Sequence, residues 1–190
     1  MVASRSRSKK MSVEEYIRYE EISPVRHEFI NGKLIEMPGT TDRHNDICYN
    51  INHHLRVALQ MKNKRGRVYQ ESVKSQLIDG KRYTYPDIFV TCDERDLADR
   101  YIKRFPIAIF EVSSNSTKVF DKTGKFIEFQ QIESLQHYII VDSESVFVEI
   151  FSRDELGKWT KSQVLHQLSD VLQLTALGLD LPLTDIYAEQ

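Results

Sequence analysis

The chain has 190 residues, of which 41% are hydrophobic and 28% are charged. This length and composition are typical of one globular domain with a real core, and they exclude a chain that is disordered throughout. The formal charge is −2, from 26 Lys and Arg against 28 Asp and Glu. Such a balance argues against a protein that coats nucleic acid non-specifically, but it leaves room for a local basic patch.

The cysteines and the N-terminus indicate the compartment. Cys48 and Cys92 have no CxxC or Cys/His zinc spacing, so the sequence predicts neither a disulfide framework nor a structural zinc site. The basic start, Arg5 to Lys10, precedes no apolar signal region, and no run approaches the ~18–20 apolar residues of a membrane span. We therefore expect a cytoplasmic protein.

A tail and a short helix are predicted at the N-terminus. Residues 1–10 are rich in Ser, Arg and Lys and are expected to be a flexible tail. The single domain predicted to follow covers residues 11–190. Ser12 and Glu15 have the spacing of a capping box, which predicts a helix that ends near Glu21.

A hairpin and a long helix follow. The runs His27–Ile30 and Lys33–Met37 predict two strands, because Asn31-Gly32 between them supplies the positive φ angles of a type I′ turn. Residues 41–63 carry an apolar side chain at every fourth position, which predicts an amphipathic helix with one buried stripe. The stripe consists of Ile47, Ile51, Leu55 and Leu59.

The rest of the chain predicts an α-β-β-β-α-β order, counted from the long helix, and then further strands. The segment Asp93–Phe105 is highly charged and is expected to be a loop with a helical turn. A helix is predicted from about Lys118 to Ile132, with Phe126 and Phe129 at core spacing. The predicted strands are Val68–Glu71 continuing through Val73–Ile78, Tyr83–Val90, Ile107–Val112, His137–Val141, Val146–Phe151, Trp159–His166 and a short run near Val171–Leu174. The last three are expected to be antiparallel strands that extend the sheet.

Two carboxylates interrupt runs that otherwise predict strands. Asp87 follows Pro86, which cannot donate to a sheet ladder, so the chain is expected to bend or bulge there. Glu111 lies near the end of a continuous apolar run, and a lone buried carboxylate is costly. Two such carboxylates on neighbouring strands repel each other unless a hard cation such as Mg²⁺ lies between them. The alternative is that each acid pairs separately with an Arg or Lys at a strand end.

The order of these residues resembles the PD-(D/E)XK nuclease superfamily. More narrowly, the chain is similar to the Uma-two family of restriction-endonuclease-like proteins, from about Ser12 to Ile186. The segments that carry this resemblance are His27-Glu-Phe-Ile-Asn-Gly-Lys-Leu-Ile-Glu-Met37, Arg43-His44, Tyr85-Pro-Asp-Ile-Phe-Val90, Glu111-Val-Ser-Ser-Asn-Ser-Thr117, Asp121 with Lys125, and His137-Tyr-Ile-Ile-Val-Asp142. The resemblance implies an α/β (α+β) fold with a central mixed sheet flanked by helices, and metal-dependent cleavage of nucleic acid, with DNA the expected substrate.

The lysine of the superfamily motif is displaced in this chain. The motif has its lysine two residues after the glutamate, where this sequence has Ser113. The resemblance implies that the lysine has moved to the following helix, at Lys125. Helical spacing places Lys125 one turn before Phe129, on the flank of the face that packs on the sheet. The alternative is a surface pair between Asp121 and Lys125 at i,i+4 spacing, worth only ~0.3–0.5 kcal/mol.

Two further residues are candidates for the site. His44 lies three residues before Ile47, at the start of the buried stripe, and the resemblance places a histidine beside the site. The alternative is a residue that merely caps or packs the helix end. Glu28 shares a hairpin face with apolar residues and therefore needs a partner, either as an outer site residue, as the resemblance implies, or as the acid of a salt bridge.

These residues together predict a Mg²⁺ or Mn²⁺ site held by Asp87, Glu111 and the Val112 carbonyl. Lys125 would orient a water and stabilise developing charge, and His44 would assist proton transfer or phosphate positioning. The competing interpretation is a non-catalytic nucleic-acid or protein interaction module that keeps the fold. Related nucleases cut both strands as dimers, so a homodimer is expected by analogy.

Overall fold

The computed structural model describes residues 10–78, 80–113 and 124–189, which form four α-helices, one short 3-10 helix (Glu94–Leu97) and thirteen strands. The predicted tail therefore lies almost wholly outside the described residues, as do Asp121 and the start of the helix predicted from Lys118. The helices are α1 (Val13–Ile22), α2 (Asp42–Met61), α3 (Phe126–Phe129) and α4 (Leu183–Ile186). The strands are β1 (His27–Ile30), β2 (Lys33–Glu36), β3 (Arg67–Gln70), β4 (Lys74–Ile78), β5 (Arg82–Thr84), β6 (Ile88–Thr91), β7 (Ile102–Lys103), β8 (Pro106–Ser113), β9 (His137–Asp142), β10 (Val148–Arg153), β11 (Trp159–Leu165), β12 (Val171–Leu174) and β13 (Leu179–Pro182).

The predicted N-terminal elements are confirmed in their local chemistry. Ser12 caps α1, since its hydroxyl accepts the Glu15 N–H at 3.1 Å and the Glu15 carboxylate accepts the Ser12 N–H at 2.7 Å. Asn31 and Gly32, with φ of 51° and 88°, form the turn between β1 and β2. The capping residue of α2 is Thr41, and the predicted apolar stripe on this helix is buried.

A mixed six-stranded sheet forms the centre of the molecule. Its strand order is β11-β10-β9-β8-β6-β3, in which β8 and β9 run parallel and the other neighbours are antiparallel. Helix α2 packs on one face through residues such as Ile51 and Leu55, against Phe110 and its neighbours. The opposite face is covered by Phe129 and Leu135. The predicted fold class, a mixed sheet flanked by helices, is confirmed.

One predicted strand is wrong, because the chain changes sheets within it. The run Tyr83–Val90 is not a single strand but splits into β5 and β6, which belong to different sheets. Pro86 lies at the split, where it has no N–H to donate to a ladder. Strand β5 joins β1, β2, β4 and β7 in a second, five-stranded sheet. The chain also changes sheets between β3 and β4, and the two crossings meet, since the Glu71 N–H donates to the carbonyl oxygens of Pro86 at 3.3 Å and Asp87 at 3.2 Å.

The C-terminal prediction also needs a correction. Strand β12 was expected to extend the sheet, but it pairs with β13 in a separate two-stranded sheet. Leu172 and Leu174 of β12 are buried in the same apolar cluster as the stripe of α2, while Val171 and Gln173 are exposed. Burial against the helix therefore decides the position of this strand. Among the described residues, no helix combines the length and apolar character needed to span a membrane.

Candidate active site

Asp87 lies where the chain crosses from one sheet to the other, directly before β6. Its Oδ2 atom accepts a hydrogen bond of 2.7 Å from the backbone N–H of Val112, the residue that follows Glu111 in β8. This bond joins the end of β6 to β8. Asp87 is therefore held at the backbone of Val112, the residue next to Glu111.

Glu111 is buried and paired with Lys125. The Lys125 Nζ atom lies 2.8 Å from Glu111 Oε2, with 2% of the Glu111 side chain and 18% of the Lys125 side chain exposed. Lys125 is positioned by the helical turn that leads into α3. The structure thus brings the displaced lysine to the carboxylate. The alternative partner, Asp121, lies outside the described residues.

Ser113 occupies the motif position of the lysine and shares a face of β8 with Glu111. It is fully buried, and its hydroxyl has no hydrogen-bond partner among the residues that the structure describes. Its backbone carbonyl accepts the Ser143 N–H at 2.9 Å. A serine hydroxyl is too short and carries no charge, so only Lys125 supplies a cation to Glu111 in the described part of the site.

His44 contacts Asp87 from helix α2. Its Nε2 atom is 3.3 Å from Asp87 Oδ2, and its Nδ1 atom is 3.8 Å from Glu71 Oε1. Burial alone would lower the pKa of His44, but the hydrogen bond and charge of Asp87, together with Glu71 and a backbone contact to Val112, outweigh burial and raise it. The imidazole is therefore part of the site, with Asp87 as its main partner.

Glu71 belongs to this group of residues, although the sequence indicated only the end of a strand. Burial and then the charge of Asp87 raise the pKa of its carboxyl group. Its backbone has a φ of 41°, a left-handed conformation that places the side chain beside His44. No pattern in the sequence signals this conformation, because β-propensity treats the run as one strand.

The charges of three carboxylates raise the pKa of one buried thiol. The pKa of the Cys48 thiol is raised mainly by burial and further by the charges of Asp87, Glu71 and Glu111. Such carboxylates repel one another unless a cation offsets their charge, as Lys125 does for Glu111 and as a bound metal ion would do for Asp87. Asp87, Glu111 and the Val112 carbonyl are oxygen donors of the kind that Mg²⁺ and Mn²⁺ prefer, so the donor set fits a hard divalent metal.

Glu28 lies in a different buried network. Its Oε1 accepts a hydrogen bond from the Thr84 hydroxyl, and its Oε2 is 3.6 Å from Arg82 Nη2. Arg82 is also paired with Glu128 of α3, at 2.6 Å. Glu28 therefore has the contacts of a salt-bridge acid, the second of the two roles considered for it. Among the described residues, its partners are Thr84 and Arg82 and not the group formed by Asp87, Glu111, Lys125 and His44.

Two basic side chains stand beside the candidate site. The guanidinium carbon of Arg26 lies 5.9 Å from the centroid of the Tyr85 ring, and the ammonium nitrogen of Lys74 lies 5.4 Å from it. The Arg26 guanidinium also donates to the Ser72 hydroxyl at 3.1 Å, next to Glu71. Lys103 is buried and donates to the Asp96 and Asp99 carbonyl oxygens.

Comparisons with known proteins give the family of the chain and a solved structure with a similar fold. The sequence profile of the Uma2 (Uma-two) family, described as "Putative restriction endonuclease", matches residues 13–184. An uncharacterized protein of Synechocystis is 31% identical over 181 residues, which cover 94% of this chain and 92% of that protein. A second uncharacterized Synechocystis protein is 25% identical over 166 residues, which cover 86% and 93% of the two chains. A crystal structure from Anabaena variabilis, described as a putative nuclease, superposes with a TM-score of 0.73 at 16% identity, covering 94% of this chain and 98% of that one.

Proposed function

The chain belongs to the Uma2 family, and we propose that it is a nuclease that hydrolyses phosphodiester bonds of DNA with Mg²⁺ or Mn²⁺ as its cofactor. One observation carries the proposal. The ammonium of Lys125 lies 2.8 Å from Glu111, while Asp87 is hydrogen-bonded at 2.7 Å to the amide that follows Glu111. Two acids and a lysine, brought together from three separate elements, are the minimum set of this nuclease type.

The residues have distinct tasks in this mechanism. A divalent cation held by Asp87, Glu111 and the Val112 carbonyl would neutralise the phosphate and lower the pKa of a bound water. The ammonium group of Lys125 lies beside the Glu111 carboxylate. From there it would orient the attacking water and stabilise the charge that develops on the phosphate. His44 is a positioning residue, since its Nε2 atom and the Val112 N–H both hold the Asp87 carboxylate.

The substrate is proposed from the charges around the site. Arg26 and Lys74 lie beside Tyr85, two residues before Asp87, where they can meet the phosphates of a strand that reaches the acids. A homodimer is part of the proposal by analogy with related nucleases, because two such sites can cut both strands of a duplex in one binding event. The competing function is a module that binds nucleic acid without cutting it, and the uncharged Ser113 at the motif position is the observation that favours it.

Cleavage of plasmid DNA in Mg²⁺ and in Mn²⁺ tests the proposal. We expect Asp87→Asn and Glu111→Gln to abolish cleavage, because a neutral amide is a weaker ligand of similar size. The matched control is Glu149→Gln. Glu149 is a buried acid on β10 whose Oε1 lies 2.6 Å from Lys161, so it copies the Glu111–Lys125 pair, separated from it by strand β9. This control should cut DNA at the wild-type rate.

Thermal unfolding without metal adds a second measurement. Asp87→Asn should leave the melting temperature level or slightly raised, because the amide oxygen still accepts the Val112 N–H and repulsion with Glu71 disappears. Glu111→Gln should lower it, since the change leaves the largely buried Lys125 without its partner. Glu149→Gln should lower it less, because the Lys161 side chain is 41% exposed and is solvated without the carboxylate. Cleavage that survives in Asp87→Asn or Glu111→Gln would contradict the mechanism. Binding of DNA without cleavage by the wild type would favour the non-catalytic module.

A further inference from the structure

Three potential ligand atoms of a different chemistry converge on the inner face of α2. His44 Nδ1 lies 3.7 Å from Cys48 Sγ and 3.8 Å from Glu71 Oε1. All three atoms lie within 4.8 Å of one another. Ligand bonds of ~2.0–2.3 Å in a tetrahedral zinc site place neighbouring ligand atoms roughly 3.5 Å apart. The observed spacing is therefore close to that of ligands around one cation.

The backbone that carries these atoms is well fixed. His44 and Cys48 are four residues apart on a twenty-residue helix, so their side chains lie on one face, one turn apart. Glu71 reaches them from the crossing between β3 and β4, where its N–H is bonded to the carbonyl oxygens of Pro86 and Asp87. A left-handed φ of 41° is unfavourable for glutamate, so the surrounding contacts must hold this position.

Two features of the cluster suit a bound cation. The Oε1 atom of Glu71 is buried and accepts no hydrogen bond from the residues that the structure describes. A buried acceptor without a donor is costly, and a metal ion would satisfy it. The other ring nitrogen of His44 faces Asp87 Oδ2 at 3.3 Å. A carboxylate on the far nitrogen is how proteins orient a metal-binding histidine and fix its tautomer.

We propose that His44 Nδ1, Cys48 Sγ and Glu71 Oε1 bind one thiophilic divalent transition metal, Zn²⁺, beside the Asp87–Glu111 pair. Asp87 orients His44 in this site by accepting its Nε2–H. Water fills the fourth position from the side of Glu71, whose side chain is 27% exposed. Mg²⁺ and Ca²⁺ do not suit the site, because they prefer oxygen ligands to thiolate and imidazole.

Binding at this site changes the state of Cys48. The S–H bond breaks, a Zn–S bond forms, and one proton leaves to solvent. Burial raises the pKa of the metal-free thiol, so the proton must be displaced by the metal and the affinity must fall as the pH falls. The thiolate gives the site a spectroscopic signature that a purely oxygen-ligated ion at Asp87 and Glu111 cannot produce.

Titration of the metal-free full-length chain with Co²⁺, a spectroscopic stand-in for Zn²⁺, tests the site. We expect a thiolate-to-cobalt charge-transfer band and the intense visible bands of tetrahedral Co²⁺, both erased by one equivalent of Zn²⁺. Cys48→Ser should lose the charge-transfer band. Cys92→Ser, which changes the exposed free cysteine, should keep it. Glu71→Gln should weaken Co²⁺ binding by roughly tenfold or more, because losing even a residue that only hydrogen-bonds to a metal ligand typically costs that much affinity.

The outcomes separate this inference from the nuclease proposal. Glu111→Gln should keep the thiolate band although it abolishes cleavage, since Glu111 is not one of the three ligands. The band is recorded without DNA, so an inactive protein would not affect the result. No thiolate band in the wild type, or an unchanged band in Cys48→Ser, would overturn the zinc site. Should Cys48→Ser fail to fold, the partly exposed Glu71 decides, and an unchanged Co²⁺ affinity in Glu71→Gln overturns the site equally.

Discussion

The role of Lys125 can be tested by one substitution. Lys125→Met keeps the length of the side chain and removes its charge, so we expect cleavage to fall by about 10²–10³-fold, the usual loss for one group that stabilises the transition state. Mn²⁺ binding, measured by calorimetry, should stay level or tighten, because the ammonium no longer competes for Glu111. Lys161→Met is the control, as Lys161 pairs with the buried acid Glu149. Cleavage unchanged by Lys125→Met, or lost equally in both variants, would remove Lys125 from the mechanism.

Lys125 and Glu111 also illustrate which site residues a sequence can disclose. A carboxylate that interrupts an apolar strand must be compensated, so Asp87 and Glu111 could be selected from the pattern alone. Lys125 could be placed on a helix flank by its spacing. Glu71 and Cys48 could not be selected, because the position of Glu71 depends on its left-handed backbone between two strands and that of Cys48 on how deeply α2 is buried. Such features arise only when distant segments pack together.

At the level of the elements, sheet membership was the least predictable property. The patterns located β3 and β4 within one residue but merged β5 and β6 into one strand, because β-propensity does not specify which sheet a strand joins. Pro86 indicated a bend and not a change of sheet. The second sheet exists because β1 pairs with β5, and Arg82 of β5 then links Glu28 of β1 to Glu128 of α3. This network joins the hairpin to the helix that follows Lys125.

Loss of Arg82 should therefore weaken the whole fold. Arg82→Met leaves Glu28 and Glu128 without their cation in a site where only 4% of the arginine side chain is exposed, so we expect a loss of about 3–5 kcal/mol in the free energy of unfolding. Urea denaturation measures this quantity. Arg65→Met, which breaks an exposed pair with Glu94, should cost less than about 1 kcal/mol. Equal effects of the two variants would contradict the buried role of Arg82.

Across the whole molecule, His137 connects the central sheet to the C-terminal sheet. Its Nδ1 atom is 2.9 Å from the Ser152 hydroxyl of β10, and its Nε2 atom accepts the Ala176 N–H at 3.0 Å, in the turn between β12 and β13. The accepting Nε2 requires the neutral ring, and burial lowers the pKa of His137 to about 4. These two contacts give His137 a structural role.

This lowered pKa predicts how stability depends on pH. The unfolded chain has an ordinary histidine pKa of ~6.5, so between that value and the folded value the unfolded state binds more protons. The contribution of His137 is complete above pH ~6.5 and is lost as the pH falls toward the folded pKa, which amounts to about 2 kcal/mol between pH 7 and pH 5. His137→Gln should lose stability at pH 7 and show a correspondingly flatter decline, measured by urea denaturation at both pH values. The exposed His166 gives the control His166→Gln, which should decline like the wild type because the carboxylates titrate equally in both. An equally steep decline in His137→Gln would show that the sheet connection does not depend on a neutral His137.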